Sequence, residues 1–140
     1  LKFLGEVRDE MLTQVCDAVQ RTAADCVGFD IEVKGLGVFG RPARIVWAGT
    51  SPCEPLVRLQ AALEGRFVEL GWDRENRPYQ GHLTICRVKN AKAGRQLADG
   101  VAAYKEEILG VTGATEMVVY QSQLSSAGPV YTAICRAALR

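Results

Sequence analysis

Histidine is almost absent from this sequence, since His82 is the only one among 140 residues. The five cysteines are widely spaced, and no Cys-x-x-Cys pair occurs. Zinc sites need cysteine and histidine ligands at close spacing, so the sequence predicts no metal site. The GxxxxGK[ST] pattern of a phosphate-binding loop is missing as well. We therefore expect neither a metal ion nor a nucleotide cofactor.

Long apolar runs are also missing. None approaches the ~20 residues with which a helix crosses a bilayer, and no signal peptide is visible. An odd number of separated cysteines is typical of reduced packing residues. We therefore expect a cytoplasmic protein with no membrane partner. A net charge of +1 argues against a broad surface for duplex nucleic acid.

The composition is that of an ordinary globular domain, with 48% apolar and 24% charged residues. A chain of 140 residues is long enough to bury about two-thirds of its unfolded surface. We expect residues 1–140 to form a single domain, and we expect the protein to be a monomer.

The only histidine opens an alternating segment within residues 77–89. Pro78 and Gly81 interrupt regular structure just before it, and a strand is predicted to begin at His82. The residues predicted on one face are His82, Thr84, Cys86 and Val88. A proton-carrying imidazole therefore lies beside a hydroxyl. The alternative is a lone histidine whose ring is satisfied by a backbone hydrogen bond.

Basic residues concentrate around this segment. Residues 73–95 contain two acidic side chains and six basic ones, namely Arg74, Arg77, Arg87, Lys89, Lys92 and Arg95. Such a local surplus suits a partner with few phosphates, such as an RNA end. A solvated basic loop is the alternative interpretation.

Three stretches carry a recognisable pattern. They are Arg77-Pro-Tyr-Gln-Gly-His-Leu-Thr-Ile-Cys-Arg-Val-Lys89, Tyr120-Gln-Ser-Gln-Leu124 followed by Gly128-Pro-Val-Tyr131, and Leu1-Lys-Phe-Leu-Gly-Glu-Val7. Together they resemble the 2H phosphoesterase family, in particular its branch of RNA 2′,3′-cyclic phosphodiesterases, the LigT-like 2′-5′ RNA ligases. That family often has proline where this sequence has Gly81.

The resemblance is incomplete in one respect. Family members carry two His-x-Thr motifs that face each other across a groove, and this sequence has one. In the family, the residues corresponding to Leu1–Val7 follow directly on the first motif. The resemblance therefore implies an N-terminally incomplete domain, without the segment that holds the first histidine and threonine.

Periodicity predicts elements in the order β-α-β-β-α-β-α-β-β. Strands are predicted over 1–7, 28–34, 44–48, from His82 onwards, 115–124 and 129–137, the last two joined by a turn at 125–128. Helices are predicted over 9–24 with Asp9 as cap, from a Ser51 cap to Leu70, and after Gly94 as far as Ile108, with Gly110 and Gly113 ending the last of them. Gly35, Gly37 and Gly40 predict a flexible loop.

This order predicts an α+β fold with largely antiparallel sheets. The resemblance implies two pseudo-symmetric lobes with helices packed outside and a central groove. Each His-x-Thr strand would then lie at the centre of its own lobe.

Opening a 2′,3′-cyclic phosphate to a 2′-phosphomonoester needs one group to take a proton from water and another to protonate the departing ribose oxygen. The resemblance assigns one of these steps to His82 and a phosphate contact to Thr84, without a metal. It also implies the reverse reaction, 2′-5′ RNA ligation. The implied partners are RNA ends or nucleotides with a 2′,3′-cyclic phosphate, such as tRNA halves.

Three further residues are candidates for phosphate or RNA binding. Arg87 matches a family position that neutralises phosphate, but strict alternation puts it on the face opposite His82, so only a long reach or a bulge brings it into the groove. Tyr79 is a candidate for stacking on a base, or an anchor at the strand end. Phe39 corresponds to a family phenylalanine near the groove, or is a loop anchor.

Two other functions stay open. One is a non-catalytic module that binds nucleotides or RNA ends, because a single motif still offers a phosphate contact. The other is an interaction domain that docks through its basic loop.

Overall fold

The structure is a computed structural model that describes residues 1–126 and 128–140. In these residues, three α-helices and six strands follow one another as α1-β1-β2-α2-β3-α3-β4-β5-β6. The helices are Leu12–Ala24 (α1), Glu54–Glu69 (α2) and Ala91–Val101 (α3). The strands are Phe29–Phe39 (β1), Ile45–Thr50 (β2), His82–Arg87 (β3), Ile108–Ala114 (β4), Glu116–Ser125 (β5) and Gly128–Ala138 (β6).

The strands form two sheets, one with the order β3-β2-β1-β4 and one that pairs β5 with β6. β1 with β2, β2 with β3, and β5 with β6 are antiparallel. The predicted α+β class with antiparallel sheets is therefore confirmed. The histidine strand β3 lies at the edge of its sheet among the described strands.

The chain divides into two compact units. The first unit comprises Leu1–Phe29, Val57–Arg77 and Gly113–Arg140, and the second comprises Asp30–Leu56 and Pro78–Thr112.

The core of the first unit is built from helices α1 and α2 and the β5–β6 hairpin. Its buried residues are Val15, Ala18, Val19, Ala23, Leu59, Leu63, Phe67, Met117 and Ala137. The residues from α1 and α2 recur at helical spacing, as their apolar stripes predict. Each large apolar side chain buried in this way stabilises the unit by about 1.5–3 kcal/mol.

The N-terminal segment is not the predicted strand, since residues 1–7 adopt no regular structure. Side-chain hydrogen bonds hold it instead. Lys2 Nζ donates to Glu64 Oε1 at 2.6 Å, and Trp72 Nε1 donates to the Leu4 carbonyl at 3.0 Å. Alternating apolar residues form a strand only when a neighbouring strand pairs with them, and the described residues offer this segment none.

Two predicted helix starts are also wrong. Asp9 lies in a short 3₁₀ turn over Asp9–Met11, and α1 begins only at Leu12. The Ser51 hydroxyl donates to the Glu32 carboxylate, and its backbone N–H donates to the Glu32 carbonyl at 3.0 Å. Because these bonds tie Ser51 to β1, helix α2 starts at Glu54.

The glycines at 35 and 37 belong to a strand and not to the predicted flexible loop, because β1 continues to Phe39. Gly35 has a φ of +77° at an irregularity in the pairing between Val33 and Leu36. A Cβ at Gly37 would lie 2.2 Å from Trp47 Cζ2. Glycine is therefore required there so that the indole can lie against the strand.

The third helix begins earlier and ends earlier than predicted. The Asn90 side chain caps α3 by accepting hydrogen bonds from the Lys92 and Ala93 N–H groups, so Gly94 lies inside the helix. Ile108, Gly110 and Gly113 lie in β4. The prediction missed this strand because the apolar spacing of α3 happens to extend to Ile108.

The predicted C-terminal hairpin is confirmed in the pairing of β5 with β6. Ser125 and Gly128 pair with each other as strand residues, while Ala127 of the predicted four-residue turn lies outside the described residues. In the part of the chain that the structure describes, no helix combines the length and apolarity needed to cross a bilayer.

Candidate functional site

His82 is the first residue of β3, and its side chain is exposed. Its Nδ1 lies 3.0 Å from the Gln80 carbonyl oxygen. A carbonyl only accepts, so Nδ1 carries the proton and donates, which leaves Nε2 as the nitrogen that can accept. The backbone bond expected of a purely structural histidine is thus present, but it uses only one nitrogen of an exposed ring.

Phe39 lies beside this imidazole. The two ring centroids are 5.4 Å apart, and the rings are nearly perpendicular at 88°. Phe39 also contacts Trp47, with centroids 5.3 Å apart. The exposed Phe39 therefore limits how the His82 ring can tilt, in the place where the family resemblance expects a phenylalanine.

The register between β2 and β3 decides which side chains share a face with His82. His82 pairs with Gly49, Thr84 pairs with Trp47, and Arg87 pairs with Ile45. Side chains of directly paired residues point to the same face. The three partners are alternate residues of β2, so His82, Thr84 and Arg87 lie on one face.

A bulge in β3 makes this arrangement possible. Thr84 and Cys86 pair with the adjacent residues Trp47 and Val46, which leaves Ile85 without a partner of its own. One extra residue reverses the alternation beyond it. The bulge thus places Arg87 on the same face as His82, whereas strict alternation would place it on the opposite face.

The resulting site is a short row of three different groups on an exposed strand. His82 can transfer a proton, the Thr84 hydroxyl can donate a hydrogen bond, and the Arg87 guanidinium can pair with an anion. His82 and Thr84 are two residues apart, or roughly 6.6 Å along the strand. A phosphate group bridges such a distance when hydrogen bonds reach it from both sides.

Tyr79 lies outside this row, in the loop that precedes β3, and it is half-buried. Burial raises the pKa of the Tyr79 hydroxyl, and the nearby Cys53 raises it further. This burial favours the anchoring role. The stacking role of Tyr79 stays a prediction.

Three features of the site were not predicted from the sequence. They are the Gln80 carbonyl that orients His82, the Ile85 bulge, and Trp47, whose ring supports Phe39. A Cβ at Gly37 or at Gly49 would approach the Trp47 indole within 3.1 Å, so glycine at both positions leaves room for the ring. Nothing in the residue types signals the bulge.

Within residues 1–126 and 128–140, no three histidine, cysteine, aspartate or glutamate side chains are grouped closely enough to hold a metal ion. A cavity of about 190 Å³ lies in the first unit, lined by residues of α1 and α2 such as Gln14 and Glu69. It contains none of the candidate site residues, so it belongs to a different part of the molecule.

Comparison with known proteins places this chain in a family. Residues 3–122 match the model of the 2′-5′ RNA ligase superfamily. The chain is 34% identical over 134 residues to an RNA 2′,3′-cyclic phosphodiesterase from Methanothermobacter thermautotrophicus, a match that covers 94% of this chain and 72% of that protein.

Solved structures agree with this match. A protein from Thermus thermophilus superposes with a TM-score of 0.79 at 25% identity, covering 99% of this chain and 75% of its own. Escherichia coli LigT, in a complex with 3′-AMP, superposes with a TM-score of 0.73 at 25% identity, covering 99% of this chain and 74% of its own. The α+β fold agrees with these structures, and the chain therefore belongs to the 2′-5′ RNA ligase superfamily, the group of 2H phosphoesterases.

Proposed function

We propose that this protein is an RNA 2′,3′-cyclic phosphodiesterase that opens the cyclic phosphate to a 2′-phosphomonoester. Two findings support the proposal: the similarity to a phosphodiesterase of that name, and the similarity to LigT, which was solved with the ribonucleotide 3′-AMP. The observation that carries it is the β2–β3 register, because it gathers His82, Thr84 and Arg87 on one face.

His82 transfers one of the two protons in this reaction. A water attacks phosphorus while the bond from phosphorus to the ribose O3′ breaks, so a proton leaves the water and a proton reaches O3′. The hydrogen bond from Nδ1 to Gln80 leaves Nε2 for this transfer. The attack is in line, so a second acid or base must act on the other side of phosphorus. The family resemblance assigns that role to another His-x-Thr motif.

Thr84 and Arg87 bind the phosphate. The hydroxyl donates to a non-bridging oxygen, and the guanidinium offsets the charge that these oxygens carry. Charge-assisted hydrogen bonds of this kind are about twice as strong as neutral ones. Phe39 packs edge-to-face against the His82 imidazole and restricts the orientation of that ring. Together with the second His-x-Thr motif that the resemblance implies, these groups supply the acid, the base and the charge compensation without a metal ion. Run in reverse, the same reaction joins a 5′-hydroxyl to a cyclic end as a 2′-5′ linkage.

RNA ends with a 2′,3′-cyclic phosphate, such as tRNA halves, are the proposed substrates, the proposed oligomeric state is a monomer, and the cytoplasm is the proposed compartment.

Hydrolysis of 2′,3′-cyclic AMP tests the proposal. We expect His82→Ala to lower kcat by about 10²–10⁴-fold, the usual contribution of one general acid or base. Thr84→Val should raise KM and lower kcat with the thermal unfolding temperature unchanged, since Thr84 is exposed. A chelator should leave the wild-type rate unchanged.

Wild-type turnover that persists in His82→Ala would remove His82 from the mechanism. Binding of 3′-AMP without any hydrolysis would instead identify the chain as a nucleotide-binding module. That second function is favoured by one observation, since the sequence contains a single histidine.

A further inference from the structure

A cluster of positive charge lies at one end of the sheet in the second unit. Three chain segments contribute to it, namely the loop before β2, the end of β3, and the first turns of α3. Its residues, called the basic corner below, are Arg41, Arg44, Arg87, Lys89, Lys92 and Arg95, and all of them are exposed.

Backbone contacts bring these segments together. The Val88 N–H donates to the Arg44 carbonyl at 2.8 Å, which joins the end of β3 to the loop before β2. Gly94 packs so closely on Ala43 that a Cβ at Gly94 would lie 2.4 Å from the Ala43 oxygen. The basic corner is therefore a property of the fold, and the sequence alone does not place Arg41 and Arg44 beside residues 87–95.

The chain segments that form the basic corner contain no acidic residues. Residues 33–53 and 76–98 contain no aspartate or glutamate. Elsewhere the exposed cations are often paired, as Arg8 is with Glu10 and Arg136 is with Glu116. Within the described residues, no carboxylate forms an ion pair with any member of the basic corner. A patch of a single sign attracts a polyanion.

We propose that the basic corner binds the phosphodiester backbone of the RNA strand that leads to the cyclic end. This inference rests on the proposed function. Strand β3 runs from His82 to Arg87, whose guanidinium binds the terminal phosphate, and the other cations of the basic corner lie at that end of the strand. An RNA strand that follows β3 in this direction places the phosphates beyond the terminal one over cations such as Arg44 and Lys89. The substrate is therefore an oligonucleotide, preferred over a cyclic mononucleotide.

RNA fits this surface better than an acidic protein segment or an anionic lipid surface does. The basic corner is continuous with the row of His82, Thr84 and Arg87 along a single strand. An RNA strand that places its terminal phosphate at His82 and continues along β3 towards Arg87 meets several exposed cations. Within the described residues no carboxylate neutralises them, which suits a repeating phosphate backbone.

The test compares two double variants that remove the same number of arginines. Arg44→Gln/Arg95→Gln alters the basic corner and spares Arg87, while Arg8→Gln/Arg21→Gln removes two exposed arginines of the first unit. The kcat/KM is measured for 2′,3′-cyclic AMP and for a short single-stranded RNA that ends in a 2′,3′-cyclic phosphate, at low and at high salt.

We expect the basic-corner variant to lose roughly 5- to 30-fold in kcat/KM on the oligonucleotide, with less than twofold change on the mononucleotide. For this variant on the oligonucleotide, the slope of log kcat/KM against the logarithm of the salt concentration should fall in magnitude by about 0.7 for each phosphate that is no longer neutralised. The first-unit variant should behave as the wild type on both substrates. Equal losses in the two variants, or equal losses on the two substrates, would overturn the proposal.

A second measurement separates this inference from the proposed function. If the wild type hydrolyses neither substrate, the proposed function fails, and fluorescence anisotropy with a labelled RNA that ends in a 3′-phosphate decides the role of the basic corner. Weaker binding by the basic-corner variant alone supports it, and equal binding by both variants overturns it. Binding to phosphatidylserine vesicles that depends on the same arginines, without binding to RNA, would also overturn it.

Discussion

Replacing Gly37 by alanine tests how the aromatic support of the site is held in place. The new Cβ would lie 2.2 Å from Trp47 Cζ2 and 2.5 Å from Cη2. Favourable carbon–carbon contacts lie at about 3.5–4.0 Å, so the indole must move by more than about 1 Å. Overpacking of this kind costs about 1–3 kcal/mol. For a protein of this size that corresponds to a fall of roughly 3–12 °C in Tm.

The displacement should also reach the reacting groups. Trp47 pairs with Thr84, and Phe39 is in contact with both Trp47 and His82. A shift of about 1 Å in catalytic geometry lowers a rate by as much as about 10²-fold. We therefore expect Gly37→Ala to lower both Tm and the kcat for 2′,3′-cyclic AMP.

The matched control is the same substitution at Gly100. That glycine lies in α3 of the same unit, and a Cβ there would meet no atom within 4 Å. Alanine in a helix interior is more favourable than glycine by about 0.5–1 kcal/mol, so Gly100→Ala should raise Tm and leave kcat unchanged. If Gly37→Ala were as stable and as active as Gly100→Ala, the indole would not rest on Gly37, and the reasoning would be refuted.

Two further predictions concern the first unit. Burial raises the pKa of Glu64, but the hydrogen bonds it accepts, led by that from Lys2, outweigh this and hold the pKa below its ordinary value. A lowered carboxyl pKa stabilises the fold above the unfolded pKa, about 4.3, and this stabilisation is lost as pH falls through the folded value. The loss of unfolding free energy in Glu64→Gln, expected at about 1–3 kcal/mol at pH 7, should therefore shrink towards pH 3 in urea titrations, and a constant difference would contradict it. Burial and the neighbouring Cys135 raise the pKa of the Cys16 thiol. Iodoacetamide should therefore label Cys16 more slowly than the exposed Cys86, as followed by mass spectrometry, and equal labelling rates would contradict this prediction.

The sequence predicts the parts of the fold that depend on local periodicity. The stripe of Leu59, Leu63 and Phe67 marks α2 because burial follows helical spacing. The hairpin of β5 and β6 was also predictable, since two β-rich runs flank a short polar turn. Its partner strands are neighbours in sequence, so local signals are sufficient.

The elements that were wrongly predicted depend on distant partners. Residues 1–7 alternate like a strand, but hydrogen bonds to Glu64 and from Trp72 hold them instead. Ser51 has the residue type of a helix cap, but Glu32 accepts its hydrogen bonds. Such competition between local preference and tertiary contacts is invisible in a single sequence.

The site residues likewise divide into those that local alternation places and those that tertiary contacts place. The His82-Leu83-Thr84 motif places two of its residues on one face by simple alternation, which the sequence predicts and the register confirms. The position of Arg87 depends on a bulge at Ile85, and the position of Arg44 depends on a backbone bond to Val88. Neither contact has a signature in residue type or spacing.

The close packing of Gly94 on Ala43 has a consequence for the energetics of recognition. It fixes the backbone of α3 against the loop that carries Arg41 and Arg44 before any ligand arrives. The entropy cost of ordering this backbone arises during folding, so the binding of an RNA strand has to immobilise only the arginine and lysine side chains. Residues larger than glycine at this contact would loosen the spacing of the charges and weaken recognition, even though Gly94 itself touches nothing that binds.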